Sequence, residues 1–120
     1  MKSMKSFVEI AGIPPCLRQK EHDGHGPIWF RRLMHSEEFQ AKVDFIDYTI
    51  IPSGSTIGRH THSGNEEVYF IALGSPLIRV QGEERRVAEG GIAVVRSGQW
   101  HELVNDTPFD VRIFVIQMSF

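Results

Sequence analysis

Two closely spaced histidines and the carboxylates that follow them carry the clearest chemical signal in the sequence. His60 and His62 stand two positions apart. In an extended strand such residues project to the same face, so the two imidazoles would lie side by side. A turn through residues 63–65 then reverses the chain, and Glu66 or Glu67 could bring a carboxylate to the same place. Two neutral nitrogens and a carboxylate suit a borderline or hard divalent metal ion.

A third histidine follows a later turn. His101 comes just after Gly98, at the start of another candidate strand. If the sheet closes into a barrel, this imidazole can meet the first two from across the interior. The remaining histidines, His22, His25 and His35, lie in the N-terminal third without a comparable spacing. We interpret His22 and His25 as solvated loop residues and assign no chemistry to His35.

The elements that must position these side chains are short β-strands. From Val43 onward, β-branched and aromatic runs alternate with Gly, Pro, Asn and Asp, which is typical of an all-β sandwich or barrel. We predict nine strands, at residues 28–33, 43–51, 57–62, 67–73, 77–81, 84–88, 92–96, 101–105 and 110–117. Helix is sparse, with one short segment over residues 36–40 and Ser36 as its N-cap.

Length and composition limit the classes of function. A chain of 120 residues with 41% hydrophobic and 23% charged residues corresponds to one globular domain. We divide it into an irregular arm, residues 1–27, and a barrel domain, residues 28–120. The net charge of −2 argues against a nucleic-acid-binding protein. The single cysteine favours a reducing compartment, hence the cytoplasm, and the longest uncharged runs are too short to span a membrane.

Two longer patterns enclose the candidate ligands. The first reads G-x5-H-x-H-x4-E-x6-G, and the second reads G-x5-R-x-G-x2-H-x3-N. The first pattern falls on Gly54, His60, His62, Glu67 and Gly74, and the second on Gly90, Arg96, Gly98, His101 and Asn105. Together they resemble the paired motifs of the cupin superfamily, in its small single-domain form. Arg96 departs from the family pattern, which has proline there, and this affects the shape of a turn rather than a ligand.

The resemblance implies a fold, a metal site and a class of function. The fold is a double-stranded β-helix, or jelly-roll barrel. The site is one divalent transition metal, Fe, Mn, Ni or Zn, held by His60, His62, Glu67 and His101. Glu67 is preferred over Glu66 because it fits the motif and shares a face with Tyr69. The function is a metal-dependent enzyme acting on a small metabolite, of dioxygenase, isomerase, decarboxylase or cyclase type. The alternative is a non-catalytic module that binds a sugar or a carboxylate.

Strand alternation suggests which side chains surround that site. Asp47 and Tyr69 are the candidates for proton transfer. The predicted pocket residues are Thr49, Tyr69, Trp100, Ile113, Val115 and Gln117. Phe114, Ile116 and Met118 alternate with the last three and would form an apolar outer face, which favours a homodimer. We expect the arm to be ordered against another surface, with a partner subunit as one candidate.

Overall fold

Residues 4–120, which the computed structural model describes, form ten β-strands and three short 3₁₀ turns. The strands are β1 (Cys16–Gln19), β2 (Pro27–His35), β3 (Val43–Ile51), β4 (Thr56–Thr61), β5 (Asn65–Leu73), β6 (Leu77–Val80), β7 (Glu83–Arg86), β8 (Ile92–Val95), β9 (Trp100–Val104) and β10 (Val111–Ser119). Nine of them correspond to the predicted strands, with ends that differ by two residues at most and agree for β3.

Two antiparallel sheets face each other across the core. One has six strands in the order β1-β2-β3-β10-β5-β8, and the other has four in the order β4-β9-β6-β7. Ile51, Ile71 and Ile113 from the first sheet pack with Ile78 and Leu103 from the second, and all are almost fully buried. Because alternate side chains of the central strands point to this core, the period-two pattern of the sequence produces the sandwich. The all-β jelly-roll prediction is confirmed.

Strand β1 lies in the arm, where no strand was predicted. It pairs antiparallel with β2, so that Cys16 stands opposite Phe30 and Gln19 opposite Pro27. All four of its residues are exposed, so the strand buries neither face and leaves no alternating pattern in the sequence. Residues 16–26 therefore pack on their own chain, while contact with a partner subunit remains a prediction.

Helical structure is limited to the short turns Ile10–Gly12, Glu21–Asp23 and Ser36–Glu38. The last of these corrects the predicted N-cap, because His35 takes that position and Ser36 is the first residue of the turn. The Glu38 carboxylate accepts the backbone N–H of His35 at 2.9 Å. The backbone of Phe39 is already extended, and β3 begins four residues later. None of the described residues belongs to a helix long and apolar enough to cross a bilayer.

Asn105 ties the end of β9 to the opposite sheet. Its side chain is fully buried and its amide donates to the carbonyl oxygens of Ile51 and Phe109, each at 2.8 Å. Its oxygen accepts the backbone N–H and the hydroxyl of Thr107. One side chain thus satisfies one polar group at the end of β3 and three in the turn that follows β9. This bonding explains why asparagine suits the final position of the second motif.

Candidate metal centre and ligand cavity

The four predicted ligand residues converge between the two sheets. His60 lies on β4 and His62 directly follows it, Glu67 lies on β5, and His101 lies on β9. His60 is the cross-strand partner of His101. One ligand atom from each of the four residues lies within 4.8 Å of the others. Glu66 projects to the opposite face of β5, because successive side chains of a strand alternate.

The distances within this cluster match the spacing of metal ligands. The Nε2 atom of His101 lies 2.9 Å from that of His60 and 3.1 Å from that of His62. The Oε1 atom of Glu67 lies 3.3 Å from His101 Nε2 and 3.5 Å from His62 Nε2. Ligand atoms about 2.1 Å from a metal stand roughly 3.0–3.4 Å apart at octahedral or tetrahedral angles. The cluster therefore fits a single metal ion.

Hydrogen bonds on the far side of two rings fix which nitrogen faces the centre. His60 Nδ1 donates to the carbonyl oxygen of Gly58 at 2.8 Å, and His62 Nδ1 donates to Asn65 Oδ1 at 2.6 Å. A neutral imidazole that donates from Nδ1 has its lone pair on Nε2. Both Nε2 lone pairs thus point into the cluster, as metal ligation requires. Asn65 was not identified as a site residue from the sequence, where it reads as a turn residue.

Burial favours the neutral form of the His60 and His101 imidazoles. It lowers the pKa of His60 from 6.5 to about 4, and the hydrogen bond to Gly58 opposes this shift only in part. Burial also lowers the pKa of His101, against the opposing effect of the Glu67 carboxylate. A neutral ring is the form that binds metal, so the environment prepares the ligands near neutral pH.

A cavity of about 250 Å³ opens beside the cluster. Of the residues predicted from the sequence, Asp47, Thr49, Tyr69, Val115 and Gln117 line it.

Two predicted pocket residues do not line this cavity. Ile113 is fully buried in the hydrophobic core between the sheets. Trp100 precedes His101 on β9 and therefore faces the other side of its sheet, where the Arg59 guanidinium lies 3.8 Å from its ring centroid. The sequence placed Trp100 at a turn, and a shift of one residue there reverses the face.

Tyr69 is the cavity residue with a hydroxyl beside the cluster. The hydroxyl lies 3.4 Å from His101 Nε2, and the two rings stack with centroids 4.7 Å apart. Burial and the Glu67 carboxylate raise the pKa of this phenol well above its usual value. Tyr69 therefore stays protonated and can donate a hydrogen bond or a proton toward the cavity.

Asp47 forms an ion pair with Arg32, which was not predicted from the sequence. The Arg32 guanidinium donates from Nε and Nη2 to the two carboxylate oxygens, at 2.9 and 3.0 Å. The guanidinium also lies 4.3 Å from the ring centroid of Phe45. The hydrogen bonds to Asp47 raise the pKa of Arg32, which keeps its charge on the cavity wall. Asp47 is thus an ion-pair partner rather than a free base.

The arm supplies further cavity residues that spacing could not reveal. Arg18, Glu21 and His22 line the cavity, and Arg18 Nη1 donates to Glu21 Oε2 at 2.9 Å. The His22 ring stacks on His60. His25 is exposed, as expected of a loop histidine, and His35 is exposed at the end of β2.

The cluster and its sheets match a known family. Residues 47–117 match the family model described as the cupin domain. The chain belongs to the cupin family. The predicted resemblance to this family is therefore confirmed, and the four residues of the cluster all fall in the matched segment.

Individual relatives extend the match to nearly the whole cupin chain. This chain is 26% identical over 109 residues to an oxalate-binding protein of Thermotoga maritima, and the alignment covers 91% of this chain and 90% of the relative. A crystal structure described as a predicted oxalate decarboxylase of Thermotoga maritima superposes with a TM-score of 0.92 at 24% identity. The superposition covers 95% of this chain and 99% of that chain. A crystal structure described as a sugar phosphate isomerase of Silicibacter pomeroyi superposes with a TM-score of 0.75 at 16% identity. The superposition covers 95% of this chain and 76% of that chain.

The depressed pKa of His60 predicts how the stability of the metal-free cupin depends on pH. The unfolded chain takes up a proton on this imidazole near pH 6.5, whereas the folded chain resists protonation down to about pH 4. The free energy of unfolding should therefore be highest above the unfolded pKa and should fall as pH drops between those two values. Urea denaturation in the presence of a chelator measures it. His60→Gln should flatten the dependence, and an unchanged slope in that variant would contradict the assignment.

Proposed function

We propose that this cupin holds one divalent transition metal ion through His60, His62, Glu67 and His101, and that the metal and Arg32 together bind a small carboxylate. The observation that carries the proposal is the convergence of the Nε2 atoms and a carboxylate oxygen at metal-ligand spacing. Imidazole and carboxylate ligands suit Fe, Mn, Ni or Zn. When bound, the metal supplies a Lewis-acid centre for a ligand oxygen.

Adjacent glutamates provide a matched test of the metal ligands. Glu67→Gln removes the charged oxygen from the cluster and should weaken Mn²⁺ or Zn²⁺ binding at least about tenfold. Glu66→Gln makes the same chemical change on the other face of β5 and should bind metal like the wild type. Competition with a chelator and metal analysis of the purified proteins give the measurement. Loss of metal in Glu66→Gln with retention in Glu67→Gln would reverse the assignment.

The charges around the cavity favour an anionic ligand. The cations Arg18 and Arg32 are each paired with a carboxylate, so these four charges cancel. A divalent metal held by neutral histidines and Glu67 would leave one positive charge at the cavity. Since this charge is partly desolvated, it would attract an anion more strongly than a neutral sugar.

Arg32 is the side chain best placed to recognise the far end of that anion. Two of its five N–H donors are used by Asp47, and the others remain for a ligand. Guanidinium groups bind carboxylates through paired hydrogen bonds, so Asp47 would serve to hold Arg32 in position. A ligand with one carboxylate on the metal and another near Arg32 would be a small dicarboxylate. The oxalate-binding relative makes oxalate the first candidate.

Neighbouring arginines test this recognition. Arg32→Lys removes the paired donors while keeping the charge, and should weaken oxalate binding to the metal-loaded protein about tenfold or more. Arg31→Lys is the control, because Arg31 faces away from Arg32 and donates from Nε to the carbonyl oxygen of Ile13. Calorimetric titration at equal metal content measures both. Equal oxalate affinity in wild type and Arg32→Lys would remove Arg32 from the proposal.

A catalytic use of the same site is the second candidate. The protonated Tyr69 hydroxyl favours it, because it lies beside the cluster and is shielded from solvent. Decarboxylation of oxalate gives carbon dioxide and formate and consumes one proton, which a buried phenol can relay. Labelled oxalate incubated with the Fe-, Mn-, Ni- and Zn-loaded forms separates the two functions by NMR. Formate production that Tyr69→Phe abolishes would support the enzyme, and binding without product under every metal would support the module.

We also propose that the chain is a cytoplasmic homodimer that pairs through the outer face of the six-stranded sheet. Phe114 lies between Tyr48 and Phe70 in that face, and Ile92 follows on β8. Phe70 and Ile92 are 37% and 59% exposed, which is costly for a continuous apolar row.

The dimer can be tested by sedimentation. The wild type should have the mass of two chains, and Phe70→Glu should shift it toward a single chain because a charge cannot be buried in the contact. Phe109→Glu is the control, since Phe109 is 74% exposed in the turn between β9 and β10. A wild-type mass of one chain would contradict the proposal.

A further inference from the structure

Residues 20–26 of the arm, here named the arm turn, lie against β4 next to the metal-ligand cluster. The imidazole of His22 stacks on that of His60, with ring centroids 3.6 Å apart and planes tilted by 11°. The nitrogen lone pairs of nearly parallel rings lie in separate, nearly parallel planes. The His22 nitrogens therefore do not point where His60 Nε2 points, and the contact is made by ring faces rather than by a further metal ligand.

His60 is the ligand residue that most needs such support. His62, Glu67 and His101 are between 2% and 6% exposed and are held by the packed interior around them. His60 is only half-buried. One edge of its ring is fixed by the hydrogen bond to Gly58, and one face is covered by His22. Without the second contact, that face of the ring would lose its packing partner, and only the edge contacts with Gly58 and His101 would hold its orientation.

Two glycines allow the arm turn to approach β4 this closely. A Cβ atom on Gly24 would lie 2.6 Å from the carbonyl oxygen of Thr56 and 2.7 Å from the nitrogen of Gly58. A Cβ atom on Gly58 would overlap the carbonyl oxygen of His22. The two backbones are thus in direct contact, and they are joined by reciprocal hydrogen bonds between His25 and Thr56. The backbone of Gly58 therefore contacts the carbonyl oxygen of His22, and its own carbonyl oxygen accepts the hydrogen bond from His60 Nδ1.

The backbone of the arm turn is also unusual. Lys20, His22 and Asp23 have φ values of 52°, 51° and 60°, in the left-handed region that residues with a Cβ atom rarely adopt. Such conformations persist where the surrounding contacts determine them, and they cluster at functional sites. This one is held by backbone hydrogen bonds within the turn and by the contacts with β4 and His60.

We propose that His22 is a positioning residue for the metal centre. The arm turn, docked through Gly24 and Gly58, holds the His60 ring in the orientation in which its Nε2 meets the other ligand atoms. This inference rests on the proposed metal site, and it extends that site to a segment outside the two motifs. The arm is then part of the metal centre and not only a wall of the cavity.

Substitutions of the arm histidines test the stacking contact. In a Co²⁺ titration against a chelator, His22→Ala should weaken binding about tenfold and alter the visible absorption of the bound ion. His22→Phe keeps a flat ring without a nitrogen and should restore both. His25→Ala, which removes an exposed imidazole from the same turn, should match the wild type. Wild-type affinity and spectrum in His22→Ala, or failure of His22→Phe to restore them, would overturn the proposal.

A matched pair of glycine substitutions tests the docking of the arm. Gly24→Ala should release the arm turn, expose it to limited proteolysis and weaken Co²⁺ binding as much as His22→Ala does. Gly12→Ala is the control, because a Cβ atom there meets nothing within 4 Å. Wild-type Co²⁺ affinity in a Gly24→Ala protein whose arm is cleaved would show that docking does not support the centre.

Metal-free protein separates this inference from the proposal on which it rests. The ring current of His22 should shift the NMR signals of the His60 ring protons, and His22→Ala should remove that shift without any metal present. A wild-type protein that takes up no Co²⁺ would overturn the proposed function. Unchanged His60 signals in metal-free His22→Ala would overturn the stacking contact itself.

Discussion

The structure depends on holding three imidazoles and a carboxylate in contact with one another, away from water. The Nε2 atoms of His60 and His101 are 2.9 Å apart, and the Glu67 carboxylate is 3.3 Å from the second of these. At these separations the four side chains give up hydration that their mutual contacts replace only in part, which lowers the stability of the metal-free protein. Two packed sheets hold the four side chains from both sides, and a cation at the centre would give them a common partner.

The parts of the site that follow local rules could be predicted from the sequence. His60 and His62 share a face because strand side chains have a period of two, and the same rule selects Glu67 over Glu66. His101 could be placed because the second motif fixes its distance from a turn. Most strands of the sandwich were also predictable, since they bury one face and therefore alternate, whereas the exposed β7 was predicted from the turn around Gly82 that joins it to β6. The family resemblance supplied what spacing alone left open, namely that these segments meet.

The parts that depend on how distant segments pair could not be predicted. The Arg32–Asp47 ion pair requires the register of β2 against β3, which shifts between Arg32 and Met34. Strand β1 buries no side chain, so its sequence carries no pattern. The contact of His22 with His60 requires two glycines, Gly24 and Gly58, to bring the arm turn against β4, and neither glycine indicates this on its own. Trp100 was misplaced for the related reason that a turn leaves the starting face of the next strand undetermined.

The division between the arm and the sheets has an evolutionary consequence. Arg18, Glu21 and His22 reach the cavity from a segment that contributes no side chain to the hydrophobic core. Substitutions of Arg18 and Glu21 therefore change the lining of the cavity without disturbing core packing or the four residues of the cluster. Selection can act on ligand preference there while stability is maintained elsewhere. A small single-barrel protein can in this way diversify its ligands through a few residues at one end of its chain.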